Sequence, residues 1–142
     1  MLATAIKINK YFVIDFDSTF TKVEGFDALA DISLRDHPEL EKIKAEIIAI
    51  TNQGMDGSIS FRESLERRIV LLSPNKRHLE QLVVVLRELV SESFKRNREF
   101  FQTYANNIYI ISNGFHAFID PIVTEFGIKK ENILANTFHF DA

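Results

Sequence analysis

Two aspartates one residue apart, in Asp15-Phe16-Asp17-Ser18-Thr19, follow the apolar run Tyr11-Phe12-Val13-Ile14. The run reads as a buried strand from about Tyr11 to Phe16, which puts both carboxylates at its carboxyl end, where open α/β sheets bind ligands. Residues two apart on a strand face the same side, so the like charges call for a cation or a shared proton. A hard divalent ion with oxygen ligands is the simplest remedy. One carboxylate can then attack an electrophile while the other moves a proton. The same residue types also make turns and helix caps, so Asp-x-Asp alone leaves both readings open.

A second segment of this kind, Ile108-Tyr109-Ile110-Ile111, ends in Ser112-Asn113-Gly114. A strand that delivers a hydroxyl and then a glycine just before a helical pattern offers an O–H and backbone N–H groups to an anion. Phosphate fits such a cradle, although Ser-Asn-Gly is turn chemistry as well. A cation comes from helical spacing: at about 100° per residue, Phe61, Leu65, Ile69 and Leu72 define one face, with Arg68 within about 60° of its centre and Arg67 nearly opposite. A guanidinium on the inward margin needs an anionic partner, either an acidic side chain nearby or a substrate carboxylate held bidentately. Glu24, where the chain leaves the first motif, is a favourable charge at a helix start.

These groups must be positioned by strands and helices of recognisable pattern. Leu40, Ile43, Ile47 and Ile50 have helical spacing, with Pro38 suited to the first turn and Gly54 to a stop. Ser60 and Glu63 form the Ser-x-x-Glu pattern that starts a helix at Phe61, and Ser73-Pro74-Asn75 breaks it. Leu79, Leu82, Val83, Leu86, Leu89 and Val90 make a broad apolar stripe. Phe100, Phe101 and Tyr104 suggest a helix returning to the sheet, followed by the second strand. Phe115, Phe118, Ile119, Ile122, Val123 and Phe126 form a further helix closed by Gly127, with Pro121 marking either a late first turn or a kink. Lys129 and Lys130 read as charges at a helix C-terminus, before a strand-like Ile133–Phe138. The residues to Asn9 read as a lead-in.

Asp-x-Asp-Ser-Thr after one strand and Ile-Ser-Asn-Gly-Phe after another resemble the first two signature motifs of the haloacid dehalogenase superfamily. Between them, Gly54-Met55-Asp56-Gly57 and Ser60-Phe61-Arg62-Glu63-Ser64-Leu65-Glu66-Arg67-Arg68 resemble the cap segment of its phosphoserine phosphatases. The resemblance implies an α/β fold: a Rossmann-like parallel sheet core, residues 1–23 and 92–142, with an inserted helical cap, residues 24–91. It implies Mg²⁺-dependent hydrolysis of a small phosphate monoester, with Asp15 as nucleophile, Asp17 as acid and base, and both as metal ligands. Ser112, Asn113 and Gly114 would hold the phosphoryl group. Glu24 would meet a substrate amino group, Arg68 a substrate carboxylate, and Met55 and Phe61 would supply apolar cover.

The family's later Lys motif and acidic cluster have no counterpart before Ala142. The expectation is a core incomplete at its C-terminus and a poorly active piece of a phosphatase. Two alternatives stand beside it: a phosphatase of the same superfamily for another small ester, such as phosphocholine or phosphohomoserine, and a noncatalytic phosphate-binding or regulatory module. Asn113 stands where many serine-specific relatives have Gly.

Composition agrees with a soluble enzyme domain. The 142 residues can bury a sizeable core, for which thirteen Phe supply material. Seventeen basic against twenty acidic residues give −3, which suggests neither a nucleic-acid nor a membrane-surface partner. Lys95-Arg96-Asn97-Arg98 reads as a solvated helix face. With no Cys there is neither a disulfide nor a thiolate site, and the four His lack metal-ligand spacing. No apolar run is long enough to cross a bilayer, and the expected location is cytoplasmic. Oligomeric state is not legible.

Overall fold

In a computed structural model, residues 10–140 are described; the lead-in expected up to Asn9 lies outside them, as do residues 141–142. Three parallel strands, β1 (Phe12–Ile14), β2 (Ile108–Phe115) and β3 (Ile133–Asn136), form one sheet in the order β1-β2-β3. Parallel neighbours need long crossovers. The first holds helices α1 (Gly25–Ser33), α2 (Leu40–Asp56), α3 (Phe61–Leu72), α4 (Lys76–Glu88), α5 (Glu92–Arg96) and α6 (Arg98–Thr103); the second holds α7 (His116–Val123). The expected α/β fold with a parallel sheet is what forms.

One sheet face is packed and the other is open. Ile108, Ile110 and Ile133 are buried, and Phe12 meets the Phe100 ring of α6 edge-on at 5.0 Å. On the opposite face Val13, Ile111 and Leu134 are half exposed or more, with Ile111 directly beside Leu134 in the register. No helix among the described residues covers them. Under the packed face, Phe16 and Phe20 are fully buried, Phe20 lies 4.9 Å from Phe126 and Phe16 6.2 Å from Phe118.

The long crossover leaves and rejoins the sheet at one place. Thr21 pairs antiparallel with Val90, Lys22 N donates to Leu89 O at 2.8 Å, and Ser91 N donates to Phe20 O at 2.9 Å. This clasp closes α1–α4 into a loop of helices, in which α4 packs on α1 and also on α7.

Several boundaries differ from expectation, each for a local reason. The first strand stops at Ile14 rather than Phe16, because the Asp15 carboxylate accepts from Phe16 N of the following turn and the Asp17 carboxylate accepts from Gly25 N at the start of α1. Gly54 does not stop α2; the helix continues to Asp56 and ends at Gly57, whose φ is 83°. A Cβ on Gly54 would lie 2.8 Å from both Cβ and Oγ of Ser64, so this glycine lets α2 and α3 cross closely. Ser60 caps α3 as expected, accepting from Glu63 N at 3.1 Å.

Asn75, read as part of a break, also starts α4: its Oδ1 accepts from His78 N at 3.0 Å, and His78 Nδ1 accepts from Asn75 N at 3.4 Å. Pro121 lies well inside α7, which starts at His116, so a late first turn is excluded. Lys129 and Lys130 sit beyond the Gly127 stop, at the start of a short turn leading into β3, and not at a helix C-terminus.

Candidate active site

Asp15 and Asp17 flank the buried Phe16 ring, and the turn Phe16–Phe20 folds directly after β1 with Asp17 extended and Ser18 left-handed at φ 54°. Asp15 is exposed; its Oδ1 accepts from Phe16 N at 2.7 Å, and its other oxygen has no partner among the described residues. Asp17 is held at both oxygens. Oδ1 accepts from Gly25 N at 2.7 Å, at the first residue of α1, and Oδ2 accepts from the Ser112 hydroxyl at 3.3 Å.

That contact joins the end of β1 to the end of β2. β2 runs through Ser112-Asn113-Gly114, with its pairing to β3 shifted between Ile111 and Phe115. The irregularity lets Gly114 N turn back and donate to Ser112 Oγ at 2.9 Å. A Cβ on Gly114 would stand 3.1 Å from Ser112 Oγ and 3.2 Å from Asp17 Oδ2. Glycine is required there for close approach, not for a left-handed backbone.

Burial pushes the Asp17 carboxyl above its ordinary value; Gly25 N–H pulls it down, Glu24 repulsion raises it, the Ser112 hydroxyl lowers it, and Asp15 repulsion raises it again. Two like charges near a half-buried carboxyl favour its protonated form, which suits a group that hands a proton to a leaving alcohol.

A cavity of about 180 Å³ opens beside Asp17. Glu24, Phe61, Arg68, Asn113 and Gly114 reach it, together with Phe26, Leu65, Phe115 and Phe118, none of which was expected at the site. Glu24 accepts a short hydrogen bond from the Ser18 hydroxyl, which fixes its carboxylate at the rim. Arg68 Nε donates to Ser64 O at 3.2 Å, and its guanidinium lies 4.8 Å over the Phe26 ring. Burial works against the Arg68 charge and Asp27 only partly offsets it. A half-buried guanidinium without a close carboxylate among the described residues is an open anion receptor. Arg67 points away, toward Glu63 and Gln53.

Met55 is not brought here: near the C-terminus of α2 its side chain is 83 % exposed and outside the cavity. It comes two residues before the stop of a helix that buries Ile47 and Ile50 on its inner face. Asp15 and Ser112 do not line the cavity themselves; Ser112 meets it through its hydrogen bond to Asp17. Asn136 at the end of β3, also missed, donates to Asn113 O at 2.8 Å. No local signal in the sequence pairs those two residues.

Among the described residues no three His, Cys, Asp or Glu side chains gather to hold a metal. The donor chemistry still fits a hard cation: an exposed Asp15 carboxylate with one oxygen unengaged suits an ion that keeps waters and takes oxygens from substrate. No helix among the described residues is long and apolar enough to cross a membrane.

No protein-family model matches the chain. Phosphoserine phosphatase of Drosophila melanogaster is 26% identical over 141 residues, 99% of this chain and 49% of that protein. The chloroplastic phosphoserine phosphatase of Arabidopsis thaliana is 35% identical over 132 residues, 89% of this chain and 40% of that protein. The crystal structure of a phosphoserine phosphohydrolase-like protein from Francisella tularensis superposes with a TM-score of 0.74 at 30% identity, covering 94% of this chain and 61% of that one. The chain thus spans about half the length of the curated relatives it matches. With the two strand-end motifs meeting at Asp17 and Ser112, the chain is similar in sequence and in fold to part of the length of phosphoserine phosphatases.

Proposed function

We propose that this chain carries the nucleophile and phosphate cradle of a phosphatase acting on a small, phosphoserine-like monoester through an aspartyl-phosphate. The observation that carries this reading is the convergence of Asp17, Ser112 and Gly114 N–H beside a cavity that has Glu24 and Arg68 at its walls. A carboxylate and a guanidinium in one small cavity complement the ammonium and carboxylate of an amino acid. Residues 24–91, tied off by the Thr21–Val90 clasp, act as the cap over the strand ends.

In the first half-reaction an Asp15 carboxylate oxygen attacks phosphorus, the bond from phosphorus to the ester oxygen breaks, and Asp17 gives its proton to the departing oxygen. In the second, Asp17 takes a proton from water as that water attacks phosphorus, and the bond to Asp15 breaks. Ser112 Oγ–H and backbone N–H groups hold the phosphoryl oxygens, with most benefit as charge redistributes in the transition state. Phe61, Phe115 and Phe118 exclude water from the reacting group. Mg²⁺, held by the Asp15 carboxylate and the Asp17 backbone carbonyl, would screen the carboxylates from the incoming phosphate.

A panel of phosphoserine, phosphocholine, phosphohomoserine and phosphoethanolamine, assayed with Mg²⁺ and with EDTA, tests this. Phosphoserine should be turned over fastest and EDTA should stop the reaction. Equal activity in EDTA would contradict the reading, and preference for another ester would move the substrate to the rival named by Asn113.

A further inference from the structure

We propose that Asn136 is a positioning residue for the phosphate cradle, acting through the Asn113–Gly114 peptide; this rests on the phosphatase reading of the site. Asn136 Nδ2 donates to Asn113 O at 2.8 Å. A backbone carbonyl only accepts, so the orientation of the Asn136 amide is decided by its partner. The peptide is trans, and in a trans peptide the carbonyl and the following N–H point in opposite directions. Holding the Asn113 carbonyl toward β3 therefore aims the Gly114 N–H away from it, at Ser112 Oγ, 2.9 Å away.

The consequence reaches Asp17. Ser112 Oγ, already accepting from Gly114, directs its own proton to Asp17 Oδ2 at 3.3 Å. A single chain of hydrogen bonds thus runs from Asn136 through the Asn113–Gly114 peptide and Ser112 to Asp17, each donor polarising the next. When phosphate enters, the Gly114 N–H and the Ser112 hydroxyl must exchange these partners for its oxygens, from a position the Asn136 tie has already set. The end of β3 that supplies Asn136 is itself fixed, because the Phe138 ring stacks on Phe115 at 3.8 Å and 16°. The pairing irregularity between Ile111 and Phe115 means that no regular register pairs Asn113 or Gly114 with β3, so the Asn136 amide supplies a tie that the ladder does not.

Asn136→Ala and Asn136→Asp in ¹⁵N-labelled protein test the assignment. Amide exchange at Gly114 should quicken about tenfold in Asn136→Ala, the loss of one hydrogen bond, while amides of β1 keep their rates. Asn136→Asp should behave like Asn136→Ala at neutral pH, where the carboxylate repels the carbonyl. It should return toward the unsubstituted protein in acid, where a carboxylic acid O–H can donate; a merely structural role would give no such rescue. Affinity for inorganic phosphate with Mg²⁺, read from the Gly114 resonance, should fall about tenfold in Asn136→Ala.

Unchanged Gly114 exchange in both variants, or no acid rescue relative to the unsubstituted protein, would overturn the proposal. If Asn136→Ala does not fold, the pH response of Asn136→Asp decides. If the unsubstituted protein gives no phosphate response, the proposed function fails, and Gly114 exchange still decides whether Asn136 orients the peptide.

Discussion

The Ser112 hydroxyl donates to Asp17 Oδ2 at 3.3 Å although the two residues are 95 positions apart in the chain. The contact ties the carboxyl ends of two neighbouring parallel strands, the place where a ligand meets both. It also divides the labour between the paired aspartates. Asp17 is anchored by Gly25 and Ser112 and made reluctant to ionise by burial, whereas Asp15 stays exposed with an unengaged oxygen. In the proposed reaction the first would move protons and the second would attack.

Ser112→Ala removes the hydroxyl from this junction without disturbing a buried apolar contact. Turnover of phosphoserine should fall about a hundredfold, as for other single donors to a developing charge. Stability should change by less than about 1 kcal/mol. Steady-state kinetics and urea titration check the two halves; a large stability loss with unchanged turnover would contradict both.

Gly25→Ala should be costly despite its small size. The new Cβ would stand 2.8 Å from Phe118 Cε2 and 3.0 Å from Asp17 Oδ1, and the fully buried Phe118 ring cannot swing aside. Overpacking of this kind costs about 1–3 kcal/mol. Urea midpoints measure it, and a variant as stable as the parent would show that α1 can withdraw from the site.

Arg68→Ala and Glu24→Gln should act on different parts of the substrate. Arg68→Ala is expected to raise KM for phosphoserine about tenfold or more and to leave phosphoethanolamine, which has no carboxylate, nearly unchanged. Glu24→Gln should weaken both esters, since both carry an amine. If Arg68→Ala weakens both equally, the guanidinium holds phosphate or structure instead of a carboxylate.

Asp27 gives a pH signature in stability. Burial first, and then Glu24 and Asp31, raise its carboxyl above the ordinary 3.8, with Arg68 lowering it in part. The folded chain therefore binds this proton more tightly than the unfolded one. Its contribution is most favourable below 3.8 and is lost as pH rises through the raised value. Asp27→Asn, which cannot ionise, should be slightly more stable than the parent at pH 7, the difference shrinking toward pH 3. Urea midpoints across that range check the sign; a variant less stable at pH 7 would reverse it.

Much of this was legible because it is local. The Ser60 cap lies three residues from its partner, the apolar stripe from Leu79 to Leu86 repeats on one helix, and both strand ends carry their polar residues in sequence. What escaped depends on neighbours in space. Gly54 looks like a stop until Ser64 is seen pressed against it. Met55 looks like cover for the site until α2 turns it outward. Asn136 and Asn113 meet only because β3 pairs with β2 through an irregular register. The open face of Val13, Ile111 and Leu134 was equally hidden, since an apolar strand residue gives no sign of whether anything lies over it.

The central claim is that an oxygen of Asp15 bonds to phosphorus. Acid-quenching the protein with phosphoserine and Mg²⁺, then reducing the acyl phosphate with tritiated borohydride and mapping the tritium, tests it directly. The account predicts tritium in homoserine formed from Asp15, and none in Asp15→Asn, which should remain folded. Label on another residue, or hydrolysis at the parent rate in Asp15→Asn, would contradict it.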